Sequence, residues 1–108
     1  MTGDAPRFDE LPQFAARVLD VVDLVPAGRV VTYGDVAALV GGGGPRQVGR
    51  VMALWGGAVS WWRVLRADGS PPLGHEAEAL RHYRRERTPL RPDGCRVDLA
   101  RARWTPPG

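Results

Sequence analysis

The chain has 108 residues, 15 basic and 12 acidic, for a net charge of +3 with one cysteine. That length suits one compact domain, no apolar run approaches the roughly 20 residues of a membrane span, and the acidic start at Asp4, Asp9 and Glu10 is unlike a leader. A lone Cys95 forms no internal disulfide, and His75 and His82 supply no convincing zinc set, so a soluble, cytoplasmic protein without metal or cofactor is expected.

Every basic residue is an arginine, an outcome that guanine-rich coding produces as readily as selection does. Their placement says more. Residues 1–44 hold three arginines against six acids, and residues 45–108 hold 12 against six, so a surface for a polyanion belongs in the second half.

Residues 1–8 read as a flexible tail. Beyond it Leu11, Phe14, Ala15, Val18, Val21 and Val22 recur at helical spacing, with Asp9 or Glu10 favouring the helix start. Pro26-Ala27-Gly28 stops this support helix, and Arg29–Val31 reads as a short extended link. Thr32 stands three residues before Asp35, a capping-box spacing that opens a short helix over Tyr33–Val40. Gly41–Gly44 form a turn, and Pro45 suits the first turn of a helix reaching Trp55, since its missing N–H has no partner there anyway. In that helix Val48, Val51, Met52 and Trp55 form a packing stripe, while Arg46, Gly49, Arg50 and Ala53 form a slim basic face. Two short helices joined this way make a helix-turn-helix.

Val59–Leu65 then reads as a strand or strand-like loop, Asp68-Gly69 as a turn and Ser70–Leu73 as a return arm, together a small wing. Ala77, Leu80 and Tyr83 among charged residues predict an exposed amphipathic helix over about His75–Arg87. Pro89, Pro92 and Gly94 break the chain before a final strand or irregular arm over Arg96–Trp104. The expected fold is mainly α with a small β wing, a winged-helix-like helix-turn-helix in one domain over residues 9–108.

The stretch Val25–Gly41, reading VPAGRVVTYGDVAALVG, resembles the start of the DNA-binding C-terminal domain of O6-alkylguanine-DNA alkyltransferases. Pro45-Arg46-Gln47-Val48-Gly49-Arg50-Val51-Met52 resembles that family's recognition helix. Ser60-Trp61-Trp62-Arg63-Val64 occupies the place of its Pro-Cys-His-Arg-Val signature. The resemblance covers about residues 10–87, with Trp55-Gly56-Gly57 where the family has an asparagine hinge. Alkyl transfer needs a thiolate acceptor, and Trp61 cannot supply one. The sequence is therefore similar to the alkyltransferase-like proteins, which are not enzymes and hold damaged DNA as a flag for nucleotide excision repair.

The resemblance implies a site, residue by residue. Arg46 is the plug that enters the base stack in place of an extruded nucleotide, a task suited to a flat guanidinium. Thr32 and Tyr33 meet DNA, with Tyr33 also lining the lesion pocket. Gly44, Pro45 and Gln47 offer a helix N-terminus to phosphate, Gly49 permits close approach, and Arg50 neutralises phosphate. Trp61 walls the base pocket, Trp62, Val64 and Met52 line or support it, and Arg63 braces the loop. The partners implied are double-stranded DNA containing O6-alkylguanine and nucleotide excision repair proteins, met by a monomer. Spacing alone equally allows major-groove docking by a transcriptional regulator. A divergent alkyltransferase acting through Cys95 is a further alternative, although Cys95 lies outside any nucleophile motif.

Overall fold

Local caps set the helix ends before any packing is considered. In the computed structural model, which describes residues 10–107, helix α1 (Glu10–Leu24) is followed by strand β1 (Val31–Thr32) and helix α2 (Tyr33–Val40). Thr32 caps α2 reciprocally: its Oγ1 accepts the Asp35 N–H, and its own N–H donates to Asp35 Oδ2, both at 3.0 Å. Helix α3 (Pro45–Trp55) follows a glycine turn. At Gly43, with φ +71, a side chain would also run into Phe14, whose ring stands 3.0 Å from an added Cβ, so the turn closes tightly on α1. The expected tail at 1–8 lies outside the described residues.

Helices α1, α2 and α3 pack around Val18, Val22, Val36 and Val48, all fully buried. Each such valine contributes on the order of 1.5–2 kcal/mol by leaving water. Two 3-10 turns, Gly56–Ala58 and Trp61–Arg63, lead from α3 into strand β2 (Val64–Leu65). Strand β2 pairs with β1 in parallel, Val31 facing Val64 and Thr32 facing Leu65, which brings the tryptophan pair beside the start of α2.

The β portion therefore differs from the expected hairpin wing. The turn is present, with Arg66 N–H bonded to Ser70 O at 3.0 Å, but the return arm makes no strand. Pro71 and Pro72 lack the N–H groups a ladder requires. Gly69, with φ +88, instead lies against the C-terminal segment, where an added Cβ would be 2.5 Å from Val97 O.

Helix α4 (Glu76–Glu86) buries Ala79 and Tyr83 in a second cluster with Val30, Leu65, Val97 and Ala102. Ala77, expected on the packed stripe, is exposed. The last segment is an irregular arm with a short helix α5 (Leu99–Ala102), joined to Val30 by two backbone bonds of 3.0 and 2.8 Å. Trp55, also expected to pack, is 44% exposed because α3 ends there and the chain turns away. No described helix is long and apolar enough to cross a membrane.

Candidate nucleic-acid interface

Helix α3 presents Arg46, Gln47, Arg50 and Ala53 to solvent and buries Val48 and Val51, as its two-stripe pattern dictates. Its N-terminus is more selective than expected. Gln47 Oε1 accepts the Gly44 N–H at 3.0 Å, and Pro45 has no N–H, so the donors left at the positive helix end belong to Arg46 and Gln47. Gly49 sits half-buried in mid-helix, and an added Cβ there would meet nothing within 4 Å. No internal packing demands this glycine.

Beside that face opens a cleft of about 400 Å³, within the usual size of a ligand pocket. Tyr33, Gly49, Met52 and Ala53 line one side and Trp61 another. Gly56 and Gly57 lie at one end, while Pro72, Leu73, His75 and Glu78 close the far side. Leu73 is 72% exposed at the cleft. Burial pushes the Tyr33 hydroxyl upward, with Arg66 partly opposing, so the ring is an uncharged wall at neutral pH.

Trp61 and Trp62 meet edge to face at 5.7 Å, and the Trp61 ring also lies 5.5 Å from His75 and 5.9 Å from His82. Trp62 stacks flat on His82, with centroids 3.5 Å apart, and its indole Nε1 donates to Glu86 Oε2 at 2.9 Å. Burial, reinforced by Arg85, pushes the His82 imidazole down, so it stacks as a neutral ring. Glu86 also accepts the Gly28 N–H at 3.0 Å and two Arg63 donors at 3.1 and 2.6 Å. Arg63 reaches on to Val25 O at 2.9 Å, and the Tyr83 hydroxyl donates to Trp62 O at 2.7 Å. Burial alone would raise the Glu86 carboxyl, but these donors outweigh it and hold the group below the usual carboxylate range.

The structure thus gathers Tyr33, Gly49, Met52 and Trp61 around one cleft, next to exposed Arg46 and Arg50. It places Trp62 behind Trp61, Arg63 in the brace, and Val64 in the core at 0% exposure, none of them lining the cleft. Thr32, expected to meet DNA, is 5% exposed with its hydroxyl committed to the α2 cap. Sequence reasoning missed Pro72, Leu73, His75 and Glu78. The one available signal was the His75–Glu78 spacing, three residues apart at the start of the predicted helix, although His75 proves to be the residue just before α4. Cys95 is exposed in a turn closed by Asp93, outside the cleft lining.

The model of the 6-O-methylguanine DNA methyltransferase DNA-binding domain matches residues 13–91. A protein of Escherichia coli (strain K12) described as a DNA base-flipping protein is 32% identical over 102 residues, spanning 91% of this chain and 79% of that protein. One of the same description from Vibrio parahaemolyticus is 28% identical over 106 residues, spanning 89% of this chain and all of that protein, 100%. Among solved structures, S. pombe Atl1 in complex with damaged DNA containing O6-carboxymethylguanine matches with a TM-score of 0.77 at 27% identity, covering 93% of this chain and 99% of that one. A second S. pombe ATL complex with DNA matches at 0.74 and 28%. With an alkyltransferase-like fold and a family match over most of its length, the chain belongs to the DNA-binding-domain family of the 6-O-methylguanine DNA methyltransferases.

Proposed function

We propose that this chain is a non-enzymatic DNA damage sensor that turns O6-alkylguanine out of the duplex and flags it for nucleotide excision repair. The observation that carries the reading is the cleft itself. By the resemblance of Ser60–Val64 to the signature, Trp61 takes the acceptor position, and its ring, which lines the cleft, offers no thiolate to take an alkyl group. An aromatic wall gives an unstacked base back part of the stacking it loses, at about 1–3 kcal/mol per base. The base-flipping description of the bacterial relatives supports the same reading.

In this mechanism α3 lies against the DNA with Gly49 allowing the backbone close. Arg46, exposed at the helix start, fills the vacated stack and donates to the orphaned partner base. Arg50 and the N–H groups of Arg46 and Gln47 hold phosphates, and Tyr33 presses on the strand beside the target. The lesion enters between Tyr33 and Trp61. Without an acceptor, the protein holds the base rather than repairing it, so its output is a distorted, occupied site that excision-repair proteins recognise.

Fluorescence anisotropy with a duplex containing O6-methylguanine and its unmodified twin tests this, together with the intact mass of the protein afterwards. The expected outcome is tighter binding of the damaged duplex and no change in mass. Equal affinities across several alkyl sizes overturn damage sensing, and a mass gain on Cys95 overturns the non-enzymatic assignment.

A further inference from the structure

The cleft borders a polyanion yet carries an acid. Glu78 stands in the first turn of α4 on the far side of the cleft, and it is the one formally charged side chain among the described lining residues. Nearby cations do not line the cleft: Arg66 Nε donates to Pro71 O at 3.1 Å, and Arg81 lies on the next turn of α4. An acid on a DNA-facing cleft weakens binding to every duplex. A first-turn acid also steadies its helix, but any exposed first-turn position does that equally well, and Glu76 already supplies one.

We infer that Glu78 biases which alkyl groups the cleft accepts, favouring neutral and cationic substituents over anionic ones. This rests on the damage-sensing reading proposed above. Glu78 is exposed at the open edge of the cleft, so water screens it in part, but a carboxylate on a lesion seated beside Met52, Trp61 and Pro72 is brought close to it and is repelled. A hydrogen-bond donor or a cation on the lesion finds an acceptor there instead.

The test compares duplexes carrying O6-carboxymethylguanine and O6-carbamoylmethylguanine, which match in shape and differ in charge, alongside the unmodified duplex. Wild type is expected to bind the neutral carbamoylmethyl duplex about fivefold more tightly than the carboxymethyl one, the scale of one like-charge pair in a partly open site. In Glu78→Gln that ratio falls close to one. Removing a negative charge also raises affinity for all three duplexes together, and the ratio cancels that general effect. A merely structural glutamate would move the melting temperature and leave the ratio alone. Equal binding of the two lesions by wild type, both above the unmodified duplex, overturns the role of Glu78 and leaves damage sensing standing. A wild-type ratio that persists in Glu78→Gln overturns it as well, whereas equal binding of all three duplexes overturns both readings.

Discussion

Trp61 and Trp62 are chain neighbours whose surroundings are opposite in kind. Trp62 is fixed at three points, by a flat stack on His82, a hydrogen bond to Glu86 and a carbonyl held by Tyr83. Trp61 meets its ring neighbours only in edge-to-face or tilted contacts, has no side-chain hydrogen bond among the described residues, and lines the cleft. The difference follows from the 3-10 turn, whose tight pitch sends consecutive side chains about 120° apart. One indole is thereby held rigid, and it supports the presentation of the other. Preorganisation of that kind lowers the ordering cost when a base arrives.

The largest test of this division removes the brace. Glu86→Ala leaves Arg63, Trp62 Nε1 and the Gly28 N–H without their acceptor, in an ion pair whose side chains are only 16% and 10% exposed. A loss of about 3 kcal/mol in urea unfolding is expected. The same group governs acid stability. Because its folded-state pKa is depressed, its contribution is present above the ordinary carboxylate range and is lost as pH falls through the folded value. Asp35, raised by burial but lowered further by Arg103 and Thr32, behaves alike. The Glu86→Ala variant should therefore show a shallower stability loss in acid than wild type; an unchanged acid slope would remove Glu86 from the brace.

Trp62→Ala and Trp61→Ala sharpen the contrast directly. The first should cost about 2 kcal/mol of stability, below the range for a fully buried indole because Trp62 is only partly covered. Trp61→Ala should cost less than about 1 kcal/mol in unfolding but lose about 1–3 kcal/mol of damaged-duplex affinity, with unmodified DNA bound as before. If the two variants melt alike and bind alike, the neighbours do not divide the work.

Arg46→Lys asks whether α3 itself acts by shape or by charge. Lysine retains attraction to phosphate and loses the flat fork, so damaged-duplex affinity should fall by about 1–2 kcal/mol while the salt dependence stays. Fluorescence of 2-aminopurine beside the lesion reports unstacking, and undiminished brightening with lysine would make Arg46 an ordinary phosphate contact.

Gly49→Ala carries the smallest effect and an informative sign. With nothing within 4 Å of the added Cβ, the free protein should gain about 0.5–1 kcal/mol, the usual advantage of alanine in a helix. DNA affinity should drop, because the methyl projects from the face meant to approach the duplex. A stabilised protein that binds DNA unimpaired would show that another face of α3 makes the contact.

Helices α2 and α3 were legible because their signals are local: Thr32 with Asp35 caps α2 within one turn, and Pro45 stands in the first turn of α3. The near side of the cleft followed from the same segments. Its far side did not, since Pro72, Leu73, His75 and Glu78 reach it only through the β1–β2 pairing and the docking of α4 on Leu65. Those contacts join residues far apart in the chain and leave no periodic trace. The fold is mainly α with a small β portion as expected, and only the pairing of that portion was misjudged, for a related reason. A turn at Asp68-Gly69 suggests a hairpin, but the two prolines after it forbid the ladder, and β2 finds its partner in β1 instead. Thr32 reads equally as a cap or a DNA contact, and only its burial separates the two.

The family match ends at residue 91, yet Val97 and Ala102 beyond it are 0% exposed. The attachment there is largely anonymous: Val30 bonds to Ala102 O and to the Trp104 N–H, and the Arg29 guanidinium meets the carbonyls of Ala102 and Arg103. Main-chain carbonyls and amides are common to every residue, so such a segment can hold its place while its amino acids leave little recognisable pattern. A chain shortened at residue 91 would keep each residue of the family match and still uncover Val30, Leu65 and Tyr83. It would also strip Asp35 of its Arg103 partner at the very start of the helix-turn-helix. Such a fragment is expected to be sticky and poorly soluble, because the border of what is recognisable is not the border of what folds.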